Sequence, residues 1–214
     1  MQKLTSMTLI IALLASPAAA HHPLAGAPME TFSQGLLSGI GHPVLGFDHL
    51  AFVVLVGIAA ALSASARVAP LGYVAGMVFG CLALMSGLEL PLVEVVIALS
   101  LLTVGAYILL GQKFTLQAAV IALGAFGLFH GAAFGESIVG QEAGYGWSVA
   151  VGYLFGLAAI QYLIAVGVAF VFRKNAEHTA SIAPRLAASA VAGIGLFLIL
   201  EQAESAAFSA IGIG

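Results

Sequence analysis

Charge is scarce in this sequence. Only 7% of its 214 residues are Asp, Glu, Lys or Arg, and Lys and Arg together number six. Nucleic-acid binding is excluded on that ground, because neutralising phosphates takes a basic face. Cysteine is scarcer still: with Cys81 alone, neither an internal disulfide nor a cysteine cluster for zinc or iron–sulfur can form. No G-x-x-x-x-G-K-[ST] loop occurs, so the chain carries no Walker-type ATP site. Apolar residues dominate, at 62% hydrophobic with a mean hydropathy of +1.13. A soluble domain of this length cannot hide so much apolar surface, and a membrane protein has no need to.

Residues 1–20 read as a secretory signal peptide. Lys3 supplies the positive start, "MTLIIALLA" (7–15) the short apolar run, and Ala18 to Ala20 the Ala-x-Ala cleavage site. The rival reading, an uncleaved first span, has a run shorter than the ~20 residues a span needs. Cleavage after Ala20 starts the mature chain at His21, outside the inner membrane of a bacterium. His21, with its α-amino group, and His22 then place three nitrogen donors together. A metal collector and a plain polar linker both account for them. Residues 21–43 are expected to form a short periplasmic segment. Within it, 29–40 reads as an interfacial helix with Phe32, Leu36, Leu37 and Ile40 on one side.

Residues 44–214 hold six segments apolar enough to span, near 44–64, 68–88, 91–110, 115–134, 148–172 and 186–208. The fold class expected is an all-α integral membrane protein, a six-helix bundle after a cleaved leader. With the mature N-terminus outside, the cytoplasmic loops follow helices one, three and five. Arg67, Lys113, Arg173, Lys174 and Arg185 all fall there, as the positive-inside rule requires, and Glu177 is the one carboxylate that joins them. Both mature termini are then periplasmic. Glycine rows at helical spacing (Gly72, Gly76, Gly80; Gly127, Gly131, Gly135; Gly152, Gly156) suit close packing of helix backbones in lipid. Packing within one bundle is the reading they favour, with a homo-oligomer contact the alternative.

The stretch "HPVLGFDH" (42–49) stands out against this background, with two histidines and an aspartate in eight positions. In the orientation above, Asp48 and His49 lie about a turn below the outer surface and His42 at its lip. Glu94 sits a turn into helix three, with Glu89 in the loop before it. His130 falls near the outer end of helix four, Glu136 at or beyond it, and Glu201 and Glu204 in the outer half of helix six. Ionisable groups at such depth cost several kcal/mol unless paired, hydrated or bound to an ion. A helix cap with an Asp48–His49 pair explains the first two alone; gathering with His130 and the glutamates at matching depth favours metal handling. His42 and His49 are two turns apart, so a continuous helix separates them by about 10 Å, too far for both to ligate one ion. Pro43 and Gly46 argue against that continuity, and a break would let His42 fold back towards Asp48. Met77, Cys81 and Met85 form a soft-ligand row on helix two, though such residues are also ordinary apolar filler.

"HPVLGFDH" (42–49) together with "FHGAAFGE" (129–136) resembles the paired signature of the HupE/UreJ family of membrane proteins. "LPLVEVVIALSLLTVG" (90–105) is similar to that family's third helix. The resemblance implies a nickel or cobalt carrier serving hydrogenase or urease maturation. It also implies a ligand set of His42, Asp48, His49, Glu94, His130 and Glu136. The function expected is a secondary permease taking up Ni²⁺ across the inner membrane. The ion is cargo, and no prosthetic group is expected. Gln161 and the glycine-lined backbone are the candidates for the inner path. A Co²⁺ permease of the same family and a membrane-embedded zinc hydrolase are the alternatives, with haem ligation by His49 and His130 a third class. Imidazole and carboxylate suit Ni²⁺, Co²⁺ and Zn²⁺ alike.

Overall fold

Residues 29–140, 146–176 and 182–212 are described by the computed structural model. The leader, His21, His22 and Glu177 lie outside the described residues, as does 141–145 of the loop before helix five. Among the described residues, seven helices follow in order: α1 (Phe32–Leu45), α2 (Phe47–Ala61), α3 (Ala69–Met85), α4 (Val93–Leu109), α5 (Leu116–Val139), α6 (Trp147–Ala176) and α7 (Ala183–Ala210). No strand occurs among the described residues.

Local chemistry sets the boundaries. Thr31 and Gln34 form a reciprocal capping box at the start of α1, and the Thr115 hydroxyl accepts the Ala118 N–H at the start of α5. Pro70 and Pro184 occupy the first turns of α3 and α7, where a missing N–H costs nothing. Gly87 and Gly111, both with positive φ, follow the ends of α3 and α4.

α5, α6 and α7 are each long and apolar enough to cross a membrane. α3 and α4 have 17 residues each, about 25 Å of helix against a hydrocarbon core of about 30 Å. α1 and α2 meet at 82° across a break of one residue and together form a broken span or re-entrant pair. The helix expected within residues 29–40 extends further than the sequence suggested. The segment is a 14-residue helix running on through His42 and Pro43, and it docks on the bundle through Gly35, Ser38, Gly39 and Pro43. Of the four apolar residues that the sequence places on one side, Phe32 and Leu37 are exposed and Leu36 and Ile40 half-buried.

α2 is the axle of the bundle, with ten of its fifteen residues buried. Around it stand three tightly joined helix pairs: α3 with α5, α1 with α6, and α4 with α7. Each pair is closed by small residues. A methyl on Gly76 would collide with the Gly124 carbonyl, and one on Gly131 with the Met77 carbonyl. A methyl on Gly39 would meet the Tyr153 carbonyl, and one on Gly152 that of Phe32. Backbones therefore lie in contact along each pair, the close approach that drives association where lipid offers no hydrophobic force. The glycine rows act within the chain, as their spacing suggested.

One end of the bundle carries its cations. The Arg173 guanidinium donates to the carbonyls of Ala60 and Ala61 in the last turn of α2 and of Ser63 just beyond it, at 3.2, 3.2 and 2.6 Å. Arg185 Nε donates to the Leu109 carbonyl at the end of α4, at 2.8 Å. These bonds satisfy acceptors that a helix C-terminus leaves without intrahelical partners.

Candidate metal site

The opposite end holds the ligand-type side chains. At Gly46, the shared cap of α1 and α2, the backbone is extended (φ −77°, ψ 104°), and that single residue makes the turn. Its effect is to fold His42 back on His49, whose ring centroids lie 6.0 Å apart. Pro43 does not interrupt α1; the break falls three residues later than the proline. Gly46 also leaves room for the His49 ring, since a Cβ there would stand 2.9 Å from His49 Cδ2.

α5 brings His130 to the same place. Its Nδ1 lies 3.2 Å from His49 Nδ1, and both rings are buried. Two nitrogens held about 2.1 Å from one ion are about 3.0 Å apart at a right angle and about 3.4 Å at the tetrahedral angle. The observed spacing falls between these limits. Asp48 Oδ2 flanks the pair, 3.8 Å from His49 Nδ1. Aromatic rings wall it in: Phe52 stacks on His130 at 4.3 Å between centroids, and Phe134 packs on His49 at 4.3 Å and on His42 at 5.1 Å.

The remaining expected residues lie close by in different settings. Glu94, in the first turn of α4, is within electrostatic range of Asp48 and Glu136. Glu136 is inside α5, which continues to Val139, not at or beyond the helix end as the sequence suggested. It lines, with Glu89, a cavity of about 440 Å³ between α5 and the α3–α4 turn. Among the described residues, no three His, Cys, Asp or Glu side chains close around one point as a finished ion site. The imidazole pair with Asp48 beside it is the nearest approach. Glu201 and Glu204 are exposed on the last turns of α7.

Sequence reasoning overlooked the hydroxyls that hold the imidazoles. Ser100 Oγ on α4 lies 3.0 Å from His130 Nε2. Tyr153 Oη on α6 and Ser137 Oγ on α5 lie 3.0 and 2.9 Å from His42 Nδ1. A buried serine in an otherwise apolar span was the available signal for Ser100. Towards the other end, the Tyr73 ring is 6.0 Å from His130, and its hydroxyl donates to Gln161 Oε1 at 2.5 Å. Gln161 Nε2 in turn donates to the Leu157 carbonyl. Met77 and Cys81 are fully buried among Phe134, Ile138 and Val149, which is the packing of filler.

All-helical among its described residues, with three helices there fit to cross a membrane and histidines buried at one end, the chain is a membrane protein. The family model described as HupE / UreJ protein matches residues 9–198. Protein HupE of Rhizobium leguminosarum bv. viciae is 31% identical over 204 residues, covering 92% of this chain and 99% of that protein. No solved structure matches. The chain belongs to the HupE/UreJ family.

Proposed function

We propose that the protein is a secondary permease that takes up Ni²⁺ across the bacterial inner membrane for hydrogenase or urease maturation. The observation that carries this reading is the buried His49–His130 pair, with nitrogens spaced as on one ion and Asp48 alongside. Burying such groups in a membrane protein is costly unless an ion or partner compensates. In this reading the mature chain has six spans after a cleaved leader, with α1 a re-entrant arm and both termini periplasmic. The imidazoles face the periplasm and the arginines the cytoplasm, in keeping with positive-inside insertion.

No ATP is required. Inward movement of a divalent ion gains about 4.6 kcal/mol per 100 mV, at about 2.3 kcal/mol per charge. The cation enters by the acidic cavity of Glu89 and Glu136, is held by His49, His130 and Asp48 with His42 and Glu94 adjoining, and leaves past Tyr73 and Gln161. Co²⁺ suits the same donors, and competition decides between the two.

The test is ⁶³Ni²⁺ uptake by metal-starved cells expressing wild type, Asp48→Ala or His130→Ala at matched levels, with Co²⁺, Zn²⁺ or Mg²⁺ in excess. Uptake by wild type that both substitutions abolish and Zn²⁺ and Mg²⁺ leave intact is the expected result. Wild-type uptake no greater than that of empty-vector cells, with folded protein in the membrane, would overturn the reading.

A further inference from the structure

A hydroxyl has one proton to give, and where it goes decides what a neighbouring imidazole must do. Ser100 Oγ lies 2.6 Å from the Ile97 carbonyl, and Tyr153 Oη lies 2.9 Å from the Phe134 carbonyl. Two oxygens that close need a proton between them, and a carbonyl brings none. Both hydroxyl protons therefore point at helix carbonyls. Each oxygen still has an imidazole nitrogen at 3.0 Å, His130 Nε2 in one case and His42 Nδ1 in the other. With the hydroxyl protons directed elsewhere, those contacts are hydrogen bonds only if the rings donate.

Two opposite tautomers follow. His130 carries its proton on Nε2, and its lone pair is on Nδ1, the nitrogen that faces His49. The Tyr153 contact puts the His42 proton on Nδ1, directed at Tyr153 Oη with Ser137 Oγ also 2.9 Å away, and the lone pair on Nε2. The neutral His49 ring, meeting the Nδ1 lone pair of His130, donates through its own Nδ1. Burial holds the hydroxyl protons in place, because Ser100, Tyr153 and His130 are fully enclosed, where no solvent competes for them, while His42 is half-buried.

We propose that Ser100 and Tyr153 are positioning residues that set the ligating nitrogen of each imidazole, presenting His130 through Nδ1 and His42 through Nε2 to the cation. The part concerning the cation rests on the nickel reading above; the proton assignment stands on the hydrogen-bond geometry alone. Partners of this kind orient the ring and raise its basicity as a ligand, and removing one costs about ten- to a hundredfold in metal affinity.

The experiment is ¹⁵N NMR of histidine-labelled protein in lipid, metal-free, with resonances assigned by loss in His42→Gln and His130→Gln. It is paired with Ni²⁺ titration by calorimetry on the same preparations. The wild type should show His130 protonated at Nε2 and His42 at Nδ1. Ser100→Ala should mix the tautomers of His130 alone and weaken Ni²⁺ about tenfold, with Ser100→Thr, which keeps a hydroxyl able to reach the carbonyl, restoring both. Tyr153→Phe should do the same for His42 without altering His130. Wild-type His130 protonated at Nδ1, or a tautomer balance unmoved by both hydroxyl deletions, would overturn the proposal. Tautomers that respond as expected in a protein that binds no Ni²⁺ would support the proton assignment and overturn the nickel reading.

Discussion

Nδ1 of His49 and Nδ1 of His130 stand 3.2 Å apart although 81 residues separate them in the chain. Two helices in contact with the same neighbours hold that distance, α2 at the centre of the bundle and α5 locked to α3 by reciprocal glycines. The donors are thus set by backbone packing that exists before any ion arrives.

If the two nitrogens hold one ion, their loss is not additive. His49→Ala and His130→Ala should each weaken Ni²⁺ binding by at least about tenfold, the scale of a lost metal partner. The double variant should bind no more weakly than the worse single one. Calorimetric titration of the three proteins checks this, and a double variant far weaker than either would show two independent sites.

Gly46 offers a subtler perturbation. In Gly46→Ala the new methyl meets the His49 ring edge, so the ring must shift while both flanking helices keep their bonds. Ni²⁺ uptake should fall with little change in melting temperature. Pro43→Ala, inside a helix that already runs unbroken past it, should leave uptake near wild type.

The glycine-closed pairs predict a sharp positional contrast in stability. Gly76→Val drives a branched side chain into the α5 backbone and should cost at least the about 1–3 kcal/mol of an overpacked core, visible as loss of monodisperse protein on heating. Gly167→Ala, with no atom within 4 Å of the added methyl, should match or exceed wild type.

Orientation can be read with single cysteines in a Cys81→Ser background, Cys81 being fully buried. A cysteine at Trp147, exposed at the imidazole end, should react with an impermeant maleimide in spheroplasts. One at exposed Lys113 should react only after the membrane is opened. The reverse pattern would invert the proposed topology.

Much of this was legible in the sequence, because lipid makes the apolar segments long and the loop charges informative. The six apolar segments lie where helices α2 to α7 run, and the glycine spacing pointed to packing inside one chain. The fold-back of His42 was legible as an option, since Gly46 and Pro43 both disfavour a straight helix; which of the two bends the chain was not. The docking of α1 on the bundle was not read, because its buried residues are glycine, serine and proline, which leave no hydrophobic period. Ser100, Ser137 and Tyr153 escaped for a related reason. Their roles depend on the register between helices, which no periodicity within one helix records.

Arg173 and Arg185 have a consequence for anyone who edits this chain. Charges at one end of a membrane bundle are commonly altered to reverse its insertion, on the premise that they act only during biogenesis. Here those two side chains also fasten the ends of α2 and α4 by their carbonyls. Replacing them would loosen the finished molecule as well as misdirect the nascent one, and the two failures would look alike on a gel. Among the described residues, Lys113 and Lys174 make no such side-chain bond to a carbonyl, which makes them the better positions for a charge swap that probes orientation.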